Sequence, residues 1–269
     1  MNSYNNLQYE EYGLEHEQVV MLLHGTLLSV WNYQNEIAAL SERYHVILPY
    51  IDGHDQATSD FVSIDAMARK LLDFIEVTFH GHIALLGGLS LGGQIALDMM
   101  SLKSDLCDYA IIESVKVTPQ RGLVPNISPY VLPKNKLMAK GYYRTLPFPK
   151  ELFEPCYASS KALKKDNIKK ILQAEAHFKM PETLAQTKAK VYIEVGSKEG
   201  DLIKQAHKLH RRIDKSQLLL MYRYRYGDFS MNHSQSYINL IEKLLRKSLL
   251  RYFYRCNEFS FLLMIDCLQ

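Results

Sequence analysis

The sequence predicts an α/β architecture, with a mostly parallel central sheet, helices on both faces and a helical segment inserted late in the chain. Three observations carry this. Short continuous apolar runs, of the kind that fill strands buried on both faces, recur along the chain. Amphipathic stretches with apolar residues three to four apart separate them, and that alternation is the signature of βαβ units. One junction between run and helix is a tight turn, Gly88-Leu89-Ser90-Leu91-Gly92, with Gly93 behind it.

The elements follow in order. Residues 1–17 are polar and suit an edge strand or loop. Val19-Val20-Met21-Leu22-Leu23 is the first buried strand and ends in His24-Gly25-Thr26. A helical stretch from about Val30 to Tyr44 leads to a second strand, His45 to Tyr50, and to the turn Asp52-Gly53-His54-Asp55. Ser63 is placed to cap a helix running to about Thr78, with Ile64, Met67, Leu71 and Phe74 on one stripe. The run from Ile83 enters the glycine-serine turn, and Gln94-Ile95-Ala96-Leu97-Asp98-Met99-Met100 continues it as a helix. Tyr109 to Val115 is the next strand.

The rhythm then breaks. Residues 116–190 carry Pro119, Pro125, Pro129, Pro133, Pro147, Pro149, Pro155 and Pro181, with helix-like pieces and no clear buried strand. Tyr130, Tyr142, Tyr143, Phe148, Phe153, Tyr157 and Phe178 are scattered through them. This segment is expected to be a helical cap, its aromatic residues shaping an apolar pocket. Residues 1–115 and 191–245 form the core. The rhythm resumes with Val191 to Gly196, a helix with Leu202, Ala206, Leu209 and Ile213 on one stripe, the strand Gln217 to Tyr222, and a last helix from about Gln235. The tail, 246–269, mixes Arg246, Arg251 and Arg255 with Tyr252, Phe253 and Phe261. It reads as a segment packed on the body or as a homodimer or surface contact.

Composition narrows the function classes. A hydrophobic content of 47% with 23% charged residues fits a globular domain with a sizeable core. A net charge of +3 is too small to point to nucleic acid. No apolar run reaches the ~18 residues of a membrane span, and the N-terminus lacks the apolar centre of a signal peptide. Cys107, Cys156, Cys256 and Cys267 are far apart, without metal-ligand spacing, so a reduced cytoplasmic setting is expected. No metal is implied; His207 and His210, at i and i+3, lack a carboxylate at suitable spacing.

A G-x-S-x-G turn between strand and helix is the geometry of a nucleophile elbow. The serine takes a strained backbone conformation, its neighbours must be small where strand and helix nearly touch, and the helix N-terminus faces developing negative charge. Together with His24-Gly25 after the first buried strand, this resembles the α/β-hydrolase superfamily, in particular its small capped esterase and peptidase-like members. The resemblance covers about residues 15–245. It implies a serine hydrolase acting on a small carboxylic ester, less readily an amide, without an organic cofactor. Ser90 would be the nucleophile. Thr26 or Leu27 would give one oxyanion-hole amide and Leu91 the other, and His24 would brace the loop or serve the site.

Serine needs a base, and the base needs an orienting carboxylate. Glu199, in the turn Gly196-Ser197-Lys198-Glu199, matches the position of the family's acid, with Asp201 as rival. The histidine departs from the pattern. Its slot after the last strand holds Tyr226, and the nearest histidine is His233. A phenol is protonated at neutral pH and cannot take a serine proton as imidazole does. Two readings follow: a rearranged loop that brings His233 to Ser90, or a triad broken at Tyr226 in a protein that binds without turnover.

Overall fold

A computed structural model describes residues 1–122 and 131–246. Strands β1 (Asn2–Tyr4) and β2 (Leu7–Tyr12) form an antiparallel hairpin. Asn5 and Asn6 turn it, both at positive φ (42° and 64°), as a two-residue hairpin loop requires. β2 pairs antiparallel with β4 (His45–Pro49). All remaining pairings are parallel, among β3 (Val19–Leu23), β4, β5 (Ile83–Leu89), β6 (Cys107–Glu113), β7 (Lys190–Gly196) and β8 (Ser216–Met221). The strand order is β1-β2-β4-β3-β5-β6-β7-β8.

The parallel strands are apolar on both sides because both faces are covered. Along β3, Met21 and Leu23 enter one core and Val20 and Leu22 the other, as the two-residue period of a strand demands. Helices α2 (Ile64–Phe79) and α3 (Leu91–Leu102) cover the first face, whereas α1 (Gln34–Leu40) and a C-terminal helix α8 (234–246) cover the second. Ser63 caps α2 as its sequence suggests: its Oγ accepts from the Ala66 amide at 3.0 Å.

Between β6 and β7 the described residues hold helices α4 (Lys136–Tyr143), α5 (Phe153–Ala162) and α6 (Lys165–His177) and no strand. After β7 comes α7 (Asp201–Arg212). Tyr143, Phe148 and Phe153 are buried in one cluster with Leu28, Trp31 and Leu89 of the body. Polar ties fix the cap to the loop after β4. Trp31 Nε1 donates to Ser159 Oγ at 2.8 Å, and Ser159 Oγ and Ser29 Oγ both donate to Asp55. Asn167, on α6, accepts from the Phe61 amide at 3.1 Å and donates to Asp60. The tail beyond 246, expected to pack on the body or meet a partner, lies outside the described residues.

Candidate active site

The turn from β5 into α3 puts Ser90 at φ 50° and ψ −110°, a conformation that costs a non-glycine residue ~1–3 kcal/mol and is held by its surroundings. Those surroundings are tight. The Ser90 amide donates to Glu113 O at 2.9 Å, and Ser90 O accepts from the Gln94 amide at 2.9 Å. A Cβ on Gly88 would lie 2.5 Å from Gly92 O, and one on Gly92 would strike Leu23 O, so neither position takes a larger residue. Leu91 opens α3, where the first amides have no acceptor within the helix and face the serine.

The loop after β3 is braced by two histidines. His24 Nε2 accepts from the Ile51 amide at 3.2 Å, and its Nδ1 faces Gly25 O at 3.0 Å. His54 Nε2 accepts from the Leu27 amide at 3.0 Å, while its Nδ1 faces the carbonyls of Ile51 and Asp52. Both rings are fully buried, which lowers both pKa values, that of His54 to about 4. They are therefore neutral, with both nitrogens engaged, and neither is free to serve Ser90. The same contact removes Leu27 as an oxyanion donor, because its amide is spent on His54.

Glu199 and His233 are not joined. Glu199 Oε1 accepts from the Gly196 amide at 2.5 Å and from Ser114 Oγ at 2.9 Å. Burial raises its pKa, with the Asp228 charge adding to the rise. Asp201, the rival, opens α7 with an exposed carboxylate hydrogen-bonded to Gln205. Tyr226 packs beside the Leu28, Trp31 and Leu89 cluster. With Glu199, Pro147, Lys198 and Arg225 it lines a cleft of about 490 Å³.

His233 as the catalytic base needs correction. It is exposed and stacks on Tyr224, and the only side-chain partner of Ser90 Oγ among the described residues is Glu175. The intervening loop explains this. Gly227 at φ 71° starts a single π-helical turn, Asp228–Asn232. Asp228 accepts from the Arg225 amide and Asn232 Nδ2, and the Ser230 amide donates to Glu113 Oε1 at 3.2 Å. The chain is thus pinned inward at Ser230 and emerges at His233, which starts α8.

Glu175, in the last turn of α6, is the residue that sequence reading missed. Its Oε1 accepts from Ser90 Oγ at 2.6 Å, leaving Ser90 only 7% exposed. Gln94 Nε2 donates to the main-chain carbonyls of Lys116 (2.8 Å) and Glu175 (3.2 Å), tying α6 to α3. A signal was present: an acid in the last turn of a helix sits at the unfavourable end of its dipole. Two glutamates inside apolar strands also escaped notice. Glu113 and Glu194 are 1% and 2% exposed, and burial is the main cause of their raised pKa values, about 7 and about 10. Among the described residues no group of three or more His, Cys, Asp or Glu is arranged to hold a metal ion. No helix there is long and apolar enough to cross a membrane.

The sheet order, the strained serine between β5 and α3, and the helices inserted after β6 are those of the α/β-hydrolase fold, and the chain has that fold. Solved structures agree. A thermophilic esterase from Thermogutta terrifontis matches with a TM-score of 0.67 at 18% identity, covering 90% of this chain and 93% of its own. MenH from S. aureus matches with 0.68 at 19%, over 91% and 99%. The enol-lactonase from Burkholderia xenovorans LB400 matches with 0.71 at 13%, over 89% and 96%. At such identities the likeness carries the fold and not the activity. No protein-family model matches the chain, and no curated protein does.

Proposed function

We propose that this protein hydrolyses small carboxylic esters, and amides less readily, through an acyl-enzyme on Ser90. The observation that carries this reading is the backbone of Ser90, held at φ 50° by a turn that forbids side chains at Gly88 and Gly92. The strained residue is the one that precedes the N-terminus of α3. The Leu91 and Thr26 amides would hold the oxyanion, each contributing on the order of 10²–10³ in rate. A fluorophosphonate probe should label Ser90 in the folded protein, and Ser90→Ala should abolish the labelling. Absence of labelling across pH 6–9 would count against the reading.

A second reading has its own support. Tyr226 stands in the histidine slot, and the Ser90 hydroxyl is covered by Glu175, as in a hydrolase-fold protein that binds a ligand without turning it over. Steady turnover of p-nitrophenyl acetate that Ser90→Ala removes would exclude it.

A further inference from the structure

We propose that Glu175, carried by the cap, is the catalytic residue that takes the proton from Ser90, in the place where imidazole would stand. This rests on the ester-hydrolysis reading above. The Glu175 carboxylate is the only side-chain group within hydrogen-bond reach of Ser90 Oγ among the described residues, at 2.6 Å, within the distance expected of a base on its nucleophile. The other titratable groups of the site are committed elsewhere: His24 and His54 to the loop after β3, His233 to Tyr224, and Glu199 to Gly196 and Ser114.

The carboxylate is also held in position. Gln94, itself fully buried and one turn beyond Ser90 on α3, fixes the Glu175 carbonyl, and buried Asn167 anchors the start of α6 to Phe61. Nucleophile and base are therefore tied through one side chain, although they stand on the body and the cap respectively. Helix stability does not explain an acid at the C-terminal end of α6. The contact with Ser90 does.

The chemistry balances. As Ser90 Oγ bonds to the ester carbonyl carbon, the carbonyl π pair moves onto its oxygen and the hydroxyl proton passes to the Glu175 carboxylate. Collapse of the tetrahedral species breaks the bond to the alcohol oxygen, which takes that proton and leaves as alcohol. Water then attacks the acyl carbon while giving a proton to the same carboxylate. Collapse returns the proton to Ser90 Oγ and releases the carboxylic acid.

The test is p-nitrophenyl acetate hydrolysis by the full chain. Glu175→Gln, nearly isosteric, should lower kcat by about 10²–10⁴-fold while leaving KM nearly unchanged. Glu175→Ala should lose as much and regain part of it on addition of sodium formate, a small carboxylate able to enter the vacated space. Formate should do nothing for Ser90→Ala. Thermal melting of Glu175→Gln, compared with wild type, separates lost chemistry from lost fold. A Glu175→Gln variant as fast as wild type or faster, in a protein whose turnover Ser90→Ala still removes, overturns the role of Glu175 and leaves the nucleophile standing. Turnover that survives Ser90→Ala overturns both.

Discussion

The imidazole of His233 lies flat on the ring of Tyr224, with ring centroids 4.1 Å apart and planes 13° from parallel. The His233 carbonyl accepts from the Ser236 and Tyr237 amides at 2.8 and 3.2 Å, so the residue is fixed as the start of α8. Swinging its ring to Ser90 would unstack the pair and disturb the first turn of that helix. His233→Ala is therefore expected to leave the rate of fluorophosphonate labelling at Ser90 within about twofold of wild type. A loss of tenfold or more would return His233 to the mechanism.

Tyr226 and Glu199 line the same cleft, which would set a histidine at position 226 beside the Glu199 carboxylate. Tyr226→His should raise p-nitrophenyl acetate hydrolysis by about tenfold or more, since a positioned general base contributes ~10²–10⁴-fold and Glu175 already supplies part of it. The added activity should disappear in Tyr226→His/Glu199→Gln. An unchanged rate in the single variant would mean that the slot no longer points at Ser90.

Buried glutamates make stability depend on pH. Glu194 is raised to about 10 and Glu113 to about 7, first by burial and then by neighbouring carboxylates, against ~4.3 in an unfolded chain. The folded state therefore binds more protons, and its advantage, complete below the unfolded value, is lost as pH rises through the folded values. The buried histidines act oppositely. His54, lowered to about 4, withdraws its stabilisation as pH falls below ~6.5, so the range above pH 7 excludes it, while the buried thiols of Cys107 and Cys156, also raised by burial, add to the fall above ~8.5. The urea midpoint should fall steadily from pH 7 to 9.5, and Glu194→Gln should flatten that fall. A wild-type midpoint constant over this range would refute a neutral Glu194.

The parallel strands, the Ser63 cap and the elbow were legible because each is written in local chemistry: an apolar run, a hydroxyl before a helix, two glycines around a serine. Glu175 was marked only by its place in the last turn of the helix Lys165–His177, and an acid there looks like solvated surface until α6 is folded back over α3. Nothing local says that Tyr143 and Phe153 would meet ring to ring, as they do with centroids 5.3 Å apart.

By itself the sequence determined the fold and the strained turn at Ser90, since the glycine spacing around that serine admits one backbone geometry. Only the tertiary structure decided what stands on the serine. The Ser90–Glu175 contact joins residues 85 positions apart through a cap whose docking depends on Gln94, Asn167 and Asp55. Side chains that meet across such a distance are placed by packing, which no local pattern records.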